Sequence, residues 1–155
     1  MMRDQFRPRQ VAAGRHQATV ARSKPFIRDM PMPDDAVAVA RASYDAYVKK
    51  DRAAIEALIA DDFHFTSPLD NRLDRKTYFA RCWPNSESTE GFEFIYLVPD
   101  GERVFVTYEG RAGGRRFRNT EVLTVKNGQI TDVEVYFGWT IPHEAAPGGF
   151  VDGAP

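Results

Sequence analysis

A chain of 155 residues is long enough for one domain with its own hydrophobic core, and 43% hydrophobic with 28% charged residues is a globular composition. The formal net charge of −1 gives no global attraction to nucleic acid or membranes, and no apolar run is long enough to span a bilayer. Cys82 is the single cysteine, so an intrachain disulfide is excluded and a reducing cytoplasm is the expected location.

The first 33 residues show no helical or strand periodicity and end in Pro31-Met32-Pro33, which predicts a disordered arm. Seven basic side chains against Asp4 and Asp29 give this arm a charge of +5, which leaves −6 for the rest of the chain. Such an arm could touch an acidic partner. Nucleic acid binding is not expected, because the arm has few aromatic residues and the following domain is acidic.

Two helices are predicted after the arm. The first begins at Asp34 and Asp35, whose carboxylates suit a helix N-terminus, and it ends at Lys49 and Lys50. Its apolar stripe at helical spacing consists of Val37, Ala40, Tyr44, Tyr47 and Val48. Asp51 is the predicted N-cap of a short second helix. The buried stripe of that second helix consists of Ala54, Ile55, Leu58 and Ile59.

A strand, a turn and a third helix are predicted next. Residues 63–67 alternate as a strand, and residues 69–72 are predicted as a turn. Asp74 caps a third helix that runs through Trp83. A polar loop is predicted at residues 85–91.

The second half of the chain predicts an antiparallel meander. Three turn signals, Asp100-Gly101, Gly113-Gly114 and Asn127-Gly128, separate runs of strand length. The predicted strands cover about residues 92–99, 102–111, 115–126 and 129–139. Helices followed by long strands predict an α+β domain at residues 34–140, with three helices on one face of a curved, mainly antiparallel sheet. Residues 141–155 predict a flexible tail.

Glu121 is the residue that points to a site. Strand alternation places it on an otherwise apolar face together with Phe117, Asn119, Leu123 and Val125. A buried carboxylate without partners is costly, and the usual reason for one is a cavity that needs a polar group. The alternative is a structural carboxylate paired with Arg118, Arg116 or a backbone donor. Asn119 is the expected hydrogen-bond partner of Glu121.

Several predicted strands are apolar on both faces. In residues 92–98, one side carries Phe92, Phe94, Tyr96 and Val98, and the other carries Ile95 and Leu97. One face can cover the helices and a pocket, so the second needs another cover. A homodimer through the sheet is the simplest prediction.

Three segments carry a family resemblance. They are the strand Ala60-Asp61-Asp62-Phe63-His64-Phe65-Thr66-Ser67-Pro68, the segment Phe117-Arg118-Asn119-Thr120-Glu121, and Gly128-Gln129-Ile130 with Val135-Tyr136-Phe137. Residues 34–140 resemble the SnoaL-like branch of the nuclear transport factor 2-like superfamily. The resemblance implies a cone-like, cystatin-like α+β barrel with a central pocket, often dimeric through its sheet. Members include isomerases, cyclases, dehydratases, epoxide hydrolases and proteins without catalysis.

The resemblance also implies residue roles. In ketosteroid isomerase relatives, the aspartate before the proline of this strand is the general base, whereas this chain has Ser67, which cannot abstract a proton unaided at neutral pH. Those enzymes hold the developing oxyanion with a first-helix tyrosine and a strand carboxylic acid. Tyr44 or Tyr47, with Glu121, fall near the matching positions. Epoxide hydrolase relatives need an acidic residue where this chain has Val135.

His64 is the second acid–base candidate. If Phe65 and Ser67 face the cavity, His64 faces away from it; with the opposite register, His64 enters the cavity and pairs with Glu121. The remaining expected pocket residues are Tyr44, Tyr47, Phe65, Ser67, Tyr78, Trp83, Asn119 and Phe137.

The expected ligand is a small, largely apolar organic molecule. One predicted function is a cofactor-free enzyme of isomerase, cyclase, dehydratase or hydrolase type; the alternative is a non-catalytic ligand-binding or dimeric interaction module. Cys82 is expected to be a buried, inert thiol. The three histidines are too scattered for a metal motif, so no metal or other cofactor is expected.

Overall fold

The structure, a computed structural model, describes residues 33–153. The predicted basic arm lies outside these residues apart from Pro33. The helices are α1 (Pro33–Lys49), α2 (Arg52–Leu58), α3 (Arg75–Arg81) and a 3₁₀ helix (Trp83–Ser88). The strands are β1 (Ile59–Ser67), β2 (Asp70–Asp74), β3 (Thr89–Asp100), β4 (Arg103–Ala112), β5 (Arg115–Lys126) and β6 (Gln129–Ile141). Residues 142–153 contain turns and bends without a helix or strand.

All six strands form one sheet in the order β2-β1-β6-β5-β4-β3. β1 and β6 run parallel, and the other neighbouring pairs are antiparallel. α1 packs across β3, β4, β5 and β6. The predicted α+β architecture, with three helices and a mainly antiparallel sheet, is therefore confirmed. The sheet is curved and does not close, so the implied barrel is an open one.

Two aspartates begin helices as the sequence predicts. The Asp51 carboxylate accepts a hydrogen bond from the Ala54 backbone N–H at 3.0 Å, which satisfies a free donor at the start of α2. The Asp74 carboxylate accepts from the Thr77 N–H at 2.7 Å at the start of α3. These caps fix where each short helix begins, and α1 buries Ala40 and Tyr44 of its predicted stripe.

The boundary between α2 and β1 differs from the prediction. α2 ends at Leu58, and β1 begins at Ile59, four residues before the predicted strand. Ile59 is buried in the core as a strand residue that pairs with Ile130 of β6. The adjacent carboxylates of Asp61 and Asp62 disguise this start, because both are exposed and interrupt the apolar alternation.

The segments around α3 also differ from the prediction. Residues 70–74, predicted largely as a turn, form β2, which pairs with β1 although its side chains lack an apolar alternation. α3 ends at Arg81 rather than Trp83, and the predicted polar loop becomes a 3₁₀ helix followed by the start of β3 at Thr89. The secondary structure of these segments depends on backbone pairing with neighbouring strands, which the pattern of side chains does not indicate.

The sheet has two faces with different roles. The helix face, which α1 covers, carries Val106 of β4, Glu121 of β5 and Val135 of β6 in one cross-strand row. Its next row is Val104, Leu123 and Val133. Val104, Val106 and Leu123 are almost fully buried, so this face forms the core.

The opposite, open face carries a row of Tyr96, Thr107, Thr120 and Tyr136. The flanking rows contain Val98, Phe105 and Val122 on one side, and Glu109, Arg118 and Trp139 on the other. The four aromatic residues of this face are between 38% and 63% exposed. Both faces are apolar as predicted, but the predicted division of residues 92–98 between them is wrong. A β-bulge between Phe94 and Tyr96 leaves Phe92 and Phe94 on the helix face against Tyr44, while Tyr96 and Val98 lie on the open face. No helix within residues 33–153 is long and apolar enough to cross a bilayer.

Candidate functional site

A cavity of about 410 Å³ lies on the helix face of the sheet. α1 contributes Tyr44 and Tyr47 to its wall, and α3 contributes Tyr78. The strands contribute further aromatic side chains, which are Phe65, Phe92, Tyr108, Phe117 and Phe137. The volume is within the range of small-molecule sites. Its aromatic wall is interrupted by few polar groups, and those groups decide its chemistry.

Glu121 of β5 is the central polar group of this cavity. Its Oε2 accepts a hydrogen bond from the Tyr44 hydroxyl at 2.9 Å, and its Oε1 accepts one from the Tyr108 hydroxyl at 2.7 Å. Tyr44 lies on α1 and Tyr108 on β4, so helix and sheet both hold the carboxylate. Arg116 and Arg118, the possible structural partners, contact Glu109 on the open face instead.

Burial raises the pKa of Glu121, while the hydrogen bonds from Tyr108 and Tyr44 lower it; the net shift is upward. The same carboxylate acts on the tyrosines. Burial, followed by the nearby Glu121 charge, raises the pKa of both Tyr44 and Tyr108. The two hydroxyls therefore keep their protons and serve as fixed donors to Glu121. A carboxyl group whose pKa is raised can exchange a proton closer to neutral pH.

A second polar group is the pair of hydroxyls of Tyr47 and Tyr78, which hydrogen-bond to each other. Burial raises the pKa of both residues, so both hydroxyls carry protons. The hydrogen bond between the two hydroxyls uses the proton of only one of them. The other can be donated to an oxygen or nitrogen acceptor in the cavity.

A third polar group lies where the chain turns from β1 to β2. The Ser67 hydroxyl accepts from the Leu69 N–H at 3.0 Å and donates to Asp70 Oδ2 at 2.9 Å. Ser67, Leu69 and Asp70 all line the cavity, and Leu69 is 82% exposed, so this turn forms part of the cavity mouth. Asp70 thus places a second carboxylate at the entrance.

Comparison with known proteins identifies the family of this fold. The sequence model described as SnoaL-like domain matches residues 40–133, more than half of the chain. This chain belongs to the SnoaL-like family. No curated protein matches it.

Solved structures share the fold of this SnoaL-like protein. A nuclear transport factor 2-like protein of unknown function from Burkholderia xenovorans is 21% identical, with a TM-score of 0.62 over 73% of this chain and 88% of that one. A candidate ketosteroid isomerase from Kribbella flavida is 18% identical, with a TM-score of 0.61 over 79% and 91%. An LEH-like epoxide hydrolase from M. tuberculosis is 23% identical, with a TM-score of 0.55 over 68% and 84%. At these identities the likeness concerns the fold.

Most residues predicted for the pocket lie around the cavity. Besides Glu121, they are Tyr44, Tyr47, Phe65, Ser67, Tyr78, Asn119 and Phe137. Asn119 does not bind Glu121, contrary to the prediction, because its Oδ1 accepts a hydrogen bond from the Gly138 N–H at 3.1 Å. Gly138 is the extra residue of a β-bulge, since Arg118 pairs with Trp139 and Asn119 pairs with Phe137. Asn119 therefore ties down the bulge beside the cavity.

Neither His64 nor Trp83 lines the cavity. Of the two registers left open for β1, the structure has the one in which His64 faces away, so the catalytic role that depended on the other register is wrong, as is the wall position expected for Trp83. Phe65 and Ser67 line the cavity, so strand alternation turns His64 to the other face, where it is level with Asp74 and Asp132 on the neighbouring strands. A His64–Glu121 pair is therefore excluded. Trp83 starts the 3₁₀ helix and packs its ring against Tyr47, with ring centroids 4.9 Å apart.

The thiol of Cys82 lines the cavity but is not activated. Burial raises the pKa of Cys82 to about 11, so it is protonated at neutral pH, as an inert thiol would be. Within residues 33–153, no group of three or more His, Cys, Asp and Glu side chains is arranged to hold a metal ion.

Among the polar lining residues that the sequence did not predict, Tyr108 and Asp70 matter most for the chemistry of the site. Tyr108 continues the alternation of Val104 and Val106 on β4, so its parity predicts the helix face that Glu121 occupies. Asp70 stood in a segment predicted as a turn, and only its pairing with Ser67 across β1 and β2 brings it to the cavity. The position of Tyr108 could therefore have been predicted from strand alternation, whereas nothing in the sequence pattern indicated that Asp70 lies at the cavity.

Proposed function

We propose that this SnoaL-like protein binds a small, largely apolar organic molecule in the cavity on its helix face, and that Glu121 exchanges a proton with that molecule. The reaction is cofactor-free proton transfer of the isomerase or hydration type. The observation that carries the proposal is the Glu121 carboxylate, which lies in an aromatic cavity and is held by two tyrosine hydroxyls.

The cavity walls support an apolar ligand that is not an anion. Its lining is mostly aromatic and aliphatic, and it includes two carboxylates but no Lys, Arg or His side chain among residues 36–153. A phosphate or carboxylate ligand would meet repulsion without a cation to offset it. A ligand oxygen can instead accept the spare proton of the Tyr47–Tyr78 pair.

The position of Glu121 supports proton transfer. Each carboxylate oxygen accepts one tyrosine hydrogen bond and keeps further lone-pair capacity for a ligand proton. Tyr44 and Tyr108 each hold one oxygen of the group, which pre-organises it for a ligand. In its protonated form, the same carboxyl can donate a hydrogen bond to a ligand oxygen.

The first experiment is a two-part screen of wild-type protein with cyclic ketones, alcohols and amines of up to about ten carbons. A rise in Tm identifies ligands, because selective binding to the folded state raises apparent stability. Solvent exchange into the bound ketones is then followed by proton NMR in deuterium oxide. We expect enzyme-dependent exchange at the carbons beside the carbonyl.

Glu121→Gln is the test variant, and Glu109→Gln, on the open face, is the matched control. Loss of a proton-transfer group lowers such rates by about 10²-fold or more, so Glu121→Gln should lose exchange while Glu109→Gln keeps it. Exchange at the wild-type rate in Glu121→Gln would remove the catalytic role. Binding without any exchange in the wild type would favour the non-catalytic ligand-binding alternative, and no binding by the whole panel would contradict the proposal.

A second proposed property is a homodimer that forms through the open face. Tyr96, Phe105, Tyr136 and Trp139 expose large aromatic surfaces there, and the Thr107 and Thr120 hydroxyls hydrogen-bond at 2.8 Å between them. Exposed apolar patches of this kind mark interaction sites. Sedimentation should show a dimer in the wild type and a monomer in Phe105→Glu. A monomeric wild type at micromolar concentration would contradict this proposal.

A further inference from the structure

Glu121 has no cationic partner among the side chains that the structure describes. Its two hydrogen bonds come from the neutral hydroxyls of Tyr44 and Tyr108, and no Lys, Arg or His side chain within residues 36–153 forms an ion pair with it. A carboxylate removed from water is costly unless a charge or further hydrogen bonds compensate it. Glu109 on the open face shows what compensation looks like, because Arg116 and Arg118 both contact it.

The rest of the described cavity lining likewise has acidic side chains without basic ones. Asp70 adds a second carboxylate at the mouth, held by the Ser67 hydroxyl. Among the described side chains, those of residues 36–153, the other titratable lining groups are Cys82 and tyrosines. Burial raises the pKa of that thiol and of Tyr44, Tyr47, Tyr78 and Tyr108, so none of them supplies positive charge. This part of the chain therefore gives the lining negative charge without positive charge.

We propose that the natural ligand of this cavity is a hydrophobic amine, whose ammonium group pairs with Glu121 while its apolar body fills the aromatic cavity. This rests on the proposed ligand-binding function and names its chemical class. An ammonium group has three donors, and both Glu121 oxygens have acceptor capacity beyond their tyrosine bonds. The ligand thus supplies the cation that residues 36–153 do not place beside Glu121.

The walls and the entrance suit the same ligand. Aromatic rings attract cations through their faces, and eight aromatic side chains of the described residues line the cavity, among them Tyr44, Phe65, Tyr78, Phe92 and Tyr108. Asp70 at the mouth attracts a cation and repels an anion before either enters. Leu69 and Phe137, both exposed at the lining, offer apolar contact to the carbon skeleton.

Matched ligands test the inference directly. Binding of cyclohexylamine and adamantylamine to the wild-type protein is compared with cyclohexanol and adamantanol by isothermal titration calorimetry at neutral pH. Cyclohexanecarboxylate is the anionic control. Charge-assisted hydrogen bonds are about twice as strong as neutral ones, so each amine should bind about tenfold tighter than its alcohol. The carboxylate should not bind.

Two test variants, each with a matched control, show which carboxylate causes the preference for amines. Glu121→Gln keeps the size of the side chain and should remove the preference for amines, while Glu109→Gln should keep it. Asp70→Asn should weaken amine binding less, and Asp62→Asn, an exposed carboxylate of β1, is its matched control. If Glu121→Gln kept the full preference for amines over alcohols, the proposed pairing of the ammonium group with Glu121 would be wrong. The comparison of amine with alcohol in the wild type needs no variant, so it decides the ligand class even if Glu121→Gln fails to fold.

The outcomes separate this inference from the proposed function. Equal binding of amines and alcohols would overturn the amine assignment and leave a cavity for neutral apolar molecules. Tighter binding of the carboxylate would overturn both the assignment and the argument from charge. Absence of binding by every probe would overturn the proposed function together with the inference.

Discussion

Glu121 and Glu109 are two carboxylates on neighbouring strands that lie on opposite faces of one sheet. Glu109 accepts hydrogen bonds from Arg118 and from Arg116, the latter at 2.8 Å, and these partners hold its pKa below the usual range. Glu121 accepts from Tyr44 and Tyr108, and burial holds its pKa above the usual range. The pKa of the same functional group is thus shifted in opposite directions on two neighbouring strands.

The difference shows how the two faces of one sheet can hold a carboxylate that stabilises the fold and a carboxylate that remains available to a ligand. Glu109 is neutralised by the protein itself, so it stabilises the open face and has little left to offer a ligand. Glu121 is held in place but not neutralised, so its charge and acceptor capacity remain for something that enters the cavity. Strand alternation alone assigns the two roles, since Glu121 pairs with Val106 and Arg118 pairs with Glu109.

The largest expected effect comes from disrupting the bulge at Gly138, which Asn119 holds beside the cavity. A Cβ at Gly138 would overlap the carbonyl oxygen of Arg118, so Gly138→Ala should lower the free energy of unfolding by about 3 kcal/mol. Denaturant titration measures it. Gly101→Ala is the control, because its Cβ meets no atom within 4 Å and only its positive φ of 59° opposes the change, at about 1 kcal/mol. An equal loss of unfolding free energy in Gly138→Ala and Gly101→Ala would show that the close approach at the bulge does not limit stability.

Removing a tyrosine donor should have the next largest effect. Tyr108→Phe leaves Glu121 Oε1 without its 2.7 Å hydrogen bond, which should cost about 1–2 kcal/mol and raise the Glu121 pKa further. Tyr44→Phe should act in the same direction but less strongly, because the Tyr108 bond lowers this pKa more. Carboxyl carbon NMR titration reads the pKa. Tyr136→Phe, which loses a bond to the exposed Glu134, should change neither quantity.

The two carboxylates should give opposite pH dependence of stability. The pKa of Glu121 is raised on folding, so its contribution is full below pH of about 4 and is lost as pH rises through the raised pKa. The pKa of Glu109 is lowered, so its contribution is present above pH of about 4 and is lost as pH falls through the lowered pKa.

Thermal unfolding of wild type, Glu121→Gln and Glu109→Gln across this range measures both contributions. The advantage of wild type over Glu121→Gln should shrink as pH rises, and its advantage over Glu109→Gln should grow. Parallel curves for the two variants would show that the faces do not differ electrostatically.

The smallest expected effect is at the edge of the open face. The Arg116 side chain is half exposed, so its ion pair with Glu109 is screened by water and salt. Arg116→Gln should therefore raise the Glu109 pKa less than Arg118→Gln does, since Arg118 is the stronger influence on that pKa and also stacks on Trp139. NMR titration at low and high salt measures the Glu109 pKa in both variants. A larger shift in Arg116→Gln than in Arg118→Gln would contradict this prediction.

Local signals explain what the sequence could predict. Turn pairs such as Asn127-Gly128 located the meander strands, and Asp51 and Asp74 located two helix starts, because each acts within a few residues. Alternation placed Glu121 on the core side of β5. Family resemblance added the helix-wrapped sheet.

Long-range pairing explains what the sequence could not predict. β2 exists because it pairs with β1, and its polar side chains give no sign of it. The bulge at Gly138 redirects Asn119 away from Glu121, and a one-residue difference of register decides that Phe65 rather than His64 meets the cavity. Such choices depend on neighbouring strands rather than on the residues themselves.

The parallel pair of β1 and β6 has a consequence for how the protein is made. It joins Ile59 to Ile130, so the central junction of the sheet cannot form until the final strand has left the ribosome. Contacts between such distant positions slow folding, and until then β1 offers an unpaired edge to other nascent chains. A chain that stops short of β6 should therefore aggregate rather than retain half a cavity.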